Sequence, residues 1–90
     1  FNFPNPFKNK TQFSFEVTQD FDLKLDVYSL GGRRIKSIEK FNLPAGFNVL
    51  DWNGRDAFEN EIANGVYIYR LKAINGNSVV SYIGRCAKYK

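Results

Sequence analysis

Hydrophobic and polar residues alternate along most of this chain with a period of two. Phe13, Phe15 and Val17 take turns with Gln12, Ser14 and Glu16, and Leu23, Leu25 and Val27 take turns with Lys24 and Asp26. Successive side chains of an extended strand point to opposite faces, so each run reads as a strand with one face buried and the other in solvent. A third strand runs through Ile35 and Ile38 to Phe41, a fourth covers Phe47 to Trp52, and the most apolar stretch, Val66 to Ala73, makes a fifth. The last begins at Ser78 and continues through Val79, Val80, Tyr82 and Ile83. Gly84 inside it implies a bulge or the end of regular pairing. No segment keeps a helical period for the length of even a short helix.

Turn residues separate these runs. Leu30-Gly31-Gly32-Arg33 reads as a tight turn, Pro44-Ala45-Gly46 as a break after which Gly46 lets the chain re-enter a sheet, and Asn75-Gly76-Asn77 as a hairpin. The longest loop runs from Asn53 to Gly65, with Phe58 and Ile62 as its expected inward anchors and Gly65 leading into the fifth strand. Short antiparallel strands at this spacing predict an all-β sandwich of the immunoglobulin or fibronectin kind, with about seven strands. One domain over residues 1–90 is expected, residues 1–10 serving as a linker into the first strand. The nine Phe, five Tyr and one Trp are assigned mostly to the core rather than to a sugar-stacking face, with Trp52, Tyr67 and Tyr69 at its centre. One of these tyrosines should satisfy its hydroxyl on upstream backbone, as in a tyrosine corner.

Composition narrows the chemistry. Histidine is absent, which removes the Ser-His-Asp and Cys-His nucleophile arrangements, the usual zinc ligands and the commonest acid–base group. A carboxylate pair working on glycosides needs a larger cleft than a 90-residue chain readily builds, so an enzyme is not expected. Cys86, the single cysteine, excludes an internal disulfide and reads as a small hydrophobe in the terminal strand, a reactive thiol being the alternative. Asp51, Asn53, Asp56, Glu59 and Glu61 gather around one loop, but their order does not match an EF-hand; they read as solvated acids, and neither metal nor cofactor is expected. The formal charge of +4 is unevenly placed: residues 62–90 hold no acid but contain Arg70, Lys72, Arg85, Lys88 and Lys90. Strand alternation would spread some of these apart as ordinary solvated charges, and the functional alternative is an acidic or phosphate-bearing partner for the terminal strand. The bases form no dense patch and no reading motif, so nucleic acid is not an expected partner. No apolar run is long enough for a membrane helix.

Several segments, in order, resemble one family. They are Pro4-Asn5-Pro6-Phe7 with Thr11-Gln12-Phe13-Ser14-Phe15; Val27-Tyr28-Ser29-Leu30-Gly31-Gly32-Arg33; Leu43-Pro44-Ala45-Gly46; Trp52-Asn53-Gly54-Arg55-Asp56; and Asn64-Gly65-Val66-Tyr67-Ile68-Tyr69-Arg70-Leu71. Together they are similar to the C-terminal sorting domain of the type IX secretion system of the Bacteroidetes, itself similar to the immunoglobulin-like fold of the flagellar hook-capping protein. The resemblance implies a domain covalently preceded by cargo, exported through the periplasm to the cell surface or medium. An outer-membrane translocon would read it and a sortase-like peptidase would remove it. It also implies that Gly31, Gly32, Gly46, Trp52, Gly54, Asp56, Gly65, Tyr67 and Tyr69 define the fold. Family members usually close on an aliphatic run between basic residues; here Ser81-Tyr82-Ile83 is followed by Gly84-Arg85-Cys86-Ala87-Lys88-Tyr89-Lys90. The chain starts at Phe1 and has no methionine, which reads as a fragment of something larger; that it is the C-terminal piece of an exported protein is what the resemblance implies.

Recognition is therefore expected on the terminal strand. Val79, Val80, Tyr82, Ile83 and Gly84 would supply an edge and its selectivity, and Arg85, Lys88 and Lys90 would steer an acidic surface toward it. A structural or adhesive surface module with the same fold is the alternative.

Overall fold

A computed structural model describes residues 1–90 as two antiparallel sheets packed face to face. Strands β1 (Asn2–Phe3), β2 (Thr11–Val17) and β5 (Gly46–Trp52) form one sheet in the order β1-β2-β5. Strands β3 (Phe21–Ser29), β4 (Arg34–Leu43), β6 (Gly65–Asn75) and β7 (Ser78–Lys88) form the other in the order β4-β3-β6-β7. The architecture is all-β, with seven strands and no helix, as the period of two requires.

Alternation builds the core. Phe21, Leu23, Leu25 and Val27 of β3 meet Phe13 of β2, Leu50 and Trp52 of β5, and Tyr67, Leu71 and Ala73 of β6 in one buried cluster. Trp52 packs its ring 5.5 Å from that of Phe7, and its indole N–H donates to the carbonyl of Arg55 at 3.0 Å. The tyrosine corner is Tyr67, whose hydroxyl donates to the Ala63 carbonyl at 2.6 Å. Tyr69 stands edge-on to Phe13 at 4.7 Å. The β6–β7 hairpin closes on Gly76 and Asn77, with Gly76 at φ 56°, the positive value that a type II′ turn needs at its first central residue.

Three local expectations are corrected. Residues 1–10 are not a linker: Asn2 and Phe3 pair with Phe13 and Gln12, and Phe7 is a core residue at 1% exposure. Pro4 and Pro6, each after a cis peptide bond, interrupt pairing only locally. Phe58 is not an anchor but is 83% exposed. The Asp56 carboxylate accepts N–H bonds from Phe58 and Asn60, both at 2.9 Å, and closes a tight turn with Phe58 at its outer tip. Ile62 alone of the pair packs on the core. Gly84 makes no bulge, because β6 and β7 pair one to one from Gly65↔Lys88 to Asn75↔Ser78. It sits opposite Tyr69, and a Cβ there would lie 2.5 Å from the tyrosine ring. The glycine makes room for an aromatic on the neighbouring strand.

Candidate functional site

Strand β7 is an edge strand, and its two halves differ. Side chains of Val80, Tyr82, Gly84, Cys86 and Lys88 share the inner face with Ala73, Leu71, Tyr69, Tyr67 and Gly65 of β6. Val79, Ser81, Ile83, Arg85 and Ala87 share the outer face with Ile74, Lys72, Arg70, Ile68 and Val66. In an antiparallel edge strand, alternate residues aim both backbone polar groups away from the sheet. Ala87 marks which set does so here, since its N–H and carbonyl bond outside the β6 ladder. The outward set is therefore Val79, Ser81, Ile83, Arg85 and Ala87.

The arm between β1 and β2 covers the C-terminal half. Phe7 donates to the Ala87 carbonyl at 2.8 Å and accepts from the Tyr89 N–H at 2.9 Å, forming a short parallel bridge to Lys88. The Asn5 side chain donates to the Arg85 carbonyl and accepts from the Ala87 N–H, both at 3.0 Å. Cys86 beneath is 1% exposed, and burial pushes its thiol up to about 11. The same desolvation raises Tyr67 and Tyr69.

Nothing in the fold pairs with the outward backbone groups of Val79, Ser81 and Ile83. Strand β1 is two residues long and stops beside Phe13, so the narrower sheet leaves the inner face of Val80 and Tyr82 uncovered. Two adjoining clefts result, of about 230 and 290 Å³, which share Glu16 and Tyr82. Their apolar walls include Phe15, Val17, Phe21 and Val80. Val79, Val80, Tyr82 and Ile83 are 56%, 49%, 50% and 72% exposed.

The cations fall out differently from expectation. Lys88 is 4% exposed and Lys90 is held by Glu61 at 2.8 Å, so neither is free to steer a partner. The hydrogen bond and charge of Lys90, with the charge of Lys88, hold the Glu61 carboxyl below its ordinary value. Arg70 lies over the Tyr28 ring, donates to its hydroxyl at 3.2 Å and stands 4.0 Å from buried Asp26, with Arg34 on the far side at 3.8 Å. Sequence reasoning missed this cluster because its members meet across β3, β4 and β6. Lys72 and Arg85 make no ion pair; on the outer face Lys72 of β6 stands opposite Ser81, in the middle of the open half of β7, and Arg85 stands at its end.

Two further loop acids are engaged internally: Asp56 closes its turn, and Glu59 contacts Lys36 and Asn53. Of the glycines taken as fold-defining, Gly54 has the clearest need. It has φ 71°, and a Cβ would lie 2.6 Å from the Asn9 carbonyl oxygen. Gly32, Gly46 and Gly65 also take positive φ, while Gly31 does not.

Residues 4–77 match the family model described as the FlgD Ig-like domain. The chain belongs to the FlgD Ig-like domain family. The match ends in the turn before β7, so the open strand lies beyond the matched residues. Among solved structures, the chain is similar to dimeric latent PorU from Porphyromonas gingivalis (TM-score 0.79, 19% identity), covering 98% of this chain and 9% of that one. It is also similar to FlgD from Xanthomonas campestris (TM-score 0.69, 16% identity, 96% of this chain and 60% of that one) and from Helicobacter pylori (TM-score 0.67, 18% identity, 96% and 65%). At these identities the likeness is one of fold. The chain spans about a tenth of the PorU chain and about three fifths of the FlgD chains. No curated protein matches it.

Proposed function

We propose that this FlgD Ig-like domain is a non-catalytic address: the C-terminal sorting domain of an exported protein, read by the type IX outer-membrane translocon and passed to a sortase-like peptidase. The observation that carries this reading is the open half of β7. A sandwich whose only task is to fold has no need of an uncharged, proline-free edge from Ser78 to Gly84, because such edges invite pairing with other chains. The ordered motifs from Pro4-Asn5-Pro6-Phe7 to Asn64-Gly65-Val66-Tyr67 support the same reading, and so does the similarity in fold to the Porphyromonas gingivalis protein PorU. On this account the cargo precedes the domain, and the route runs through the periplasm to the surface or medium.

A structural or adhesive module is the second reading. It is favoured by the outer face of the three-stranded sheet, where Phe1, Phe3, Phe47 and Val49 are 80%, 64%, 69% and 49% exposed. An export assay separates the two. Residues 1–90 fused behind a periplasmic reporter, in a type IX-competent host, should bring the reporter to the surface or medium. The same fusion carrying Phe13→Ser, a polar group in the core, should be degraded. An intact fusion that stays folded in the periplasm would remove the sorting reading and leave the adhesive one. Deleting Arg85–Lys90 is not a clean control, because it takes away Cys86 from the core and the partners of Asn5 and Phe7.

A further inference from the structure

We infer that the Val79–Ile83 edge takes up an extended acidic segment of a partner protein as an added strand, with its carboxylates on the outer face that carries Arg85 and Lys72. This deepens the sorting reading and rests on it for the partner's identity, but the binding chemistry is argued from the edge alone.

The backbone sets the mode. Val79, Ser81 and Ile83 present three N–H and three carbonyl groups at regular spacing, with no bulge, proline or charge between Ser78 and Gly84 to block a neighbour. Main-chain bonding of this kind supplies affinity, and alternate side chains supply selectivity. On the inner side, an incoming strand lays every second residue over the cleft beside Val80 and Tyr82, which favours apolar side chains there. On the outer side it runs beside Val79 and Ile83 and ends next to Arg85, whose carbonyl is already taken by Asn5. The arm thus fixes the length of the added strand: it stops where Asn5 and Phe7 already occupy the edge.

Charge selects the occupant. A second copy could also pair along this edge, since a two-fold axis at Ser81 would set Val79 against Ile83. Each copy, however, carries +4, and residues 62–90 contain no acid to answer Lys72 or Arg85. Glu16, the acid that lines both clefts, belongs to β2 of the other sheet, whereas Lys72 and Arg85 lie on the outer face of the β6–β7 sheet. An extended segment with apolar residues on one face and carboxylates on the other satisfies both sides of the edge.

The probe is a blocked octapeptide alternating valine with glutamate, compared with one in which lysine replaces glutamate, each titrated into the labelled domain by NMR. The glutamate peptide should shift the amides of Val79, Ser81 and Ile83 and bind about tenfold tighter than the lysine peptide, a preference that fades with added salt. Arg85→Glu should abolish or reverse that preference. Ser81→Pro, which removes an outward N–H that has no partner in the free domain, should abolish binding of both peptides. Equal affinity for the two peptides, shifts confined to β4 or β5, or self-association through this edge in place of peptide binding would each overturn the inference. The export assay fails independently: a reporter exported by a domain that ignores the peptide removes this inference and keeps the sorting reading, while binding without export does the reverse.

Discussion

Gly84 shows how much one missing methyl group can decide. It pairs in regular register with Tyr69, and the tyrosine ring fills the space a side chain would need. Gly84→Ala should therefore cost about 1–3 kcal/mol through overpacking, seen as a lower urea midpoint. Shrinking the neighbour with Tyr69→Leu in the same chain should recover part of that loss. A Gly84→Ala variant that unfolds at the wild-type midpoint would show that the ring is free to move aside. Cys86 makes a prediction about pH. Its thiol titrates at about 11 in the folded domain against 9.0 ordinarily, so between those values the unfolded chain gives up a proton that the folded chain keeps. Stability from this group is full below pH 9 and is lost as pH rises toward 11; Tyr67 and Tyr69, both raised, act in the same sense. Denaturation midpoints should fall over that window, less steeply in Cys86→Ala. The burial of Cys86, Trp52 and Tyr67 was legible in the sequence, because type and period agree at those positions. The reason for Gly84 was not, since a close approach to a residue on another strand leaves no local trace.

At the scale of elements, six strands were legible because each spans several alternations between turn residues. Strand β1 was not. Two residues carry no period, and the prolines that follow signal a break without saying where the chain goes next. It turns back toward the far sheet, and Asn5 fastens it to β7 with two hydrogen bonds to backbone. Asn5→Ala should cost about 1–2 kcal/mol, in line with two solvent-exposed bonds, and should speed hydrogen exchange at the Ala87 amide. An unchanged Ala87 rate would mean that Phe7 alone holds the arm. The same clamp explains why Lys88 and Lys90 were misread as free steering charges. The arm that buries Lys88 and the loop that brings Glu61 to Lys90 are both tertiary arrivals.

For the whole molecule, the informative feature is the mismatch between a three-stranded and a four-stranded sheet. A fully matched sandwich would cover the inner face of both outer strands. Here β1 ends early, and the wider sheet overhangs it along the first half of β7. The opposite edge, β4, carries Arg34, Lys36, Glu39 and Lys40 along its length, charges that discourage pairing. The first half of β7 carries none. The terminal strand is thus clamped along one half and open along the other. Residue-resolved amide hydrogen exchange tests this directly. Val79, Ser81 and Ile83 should exchange fast, Val80 and Tyr82 slowly through their bonds to β6, and Ala87 and Tyr89 slowly through the arm. Uniform protection from Val79 to Tyr89, or fast exchange at Ala87 and Tyr89 alongside Val79, would contradict it.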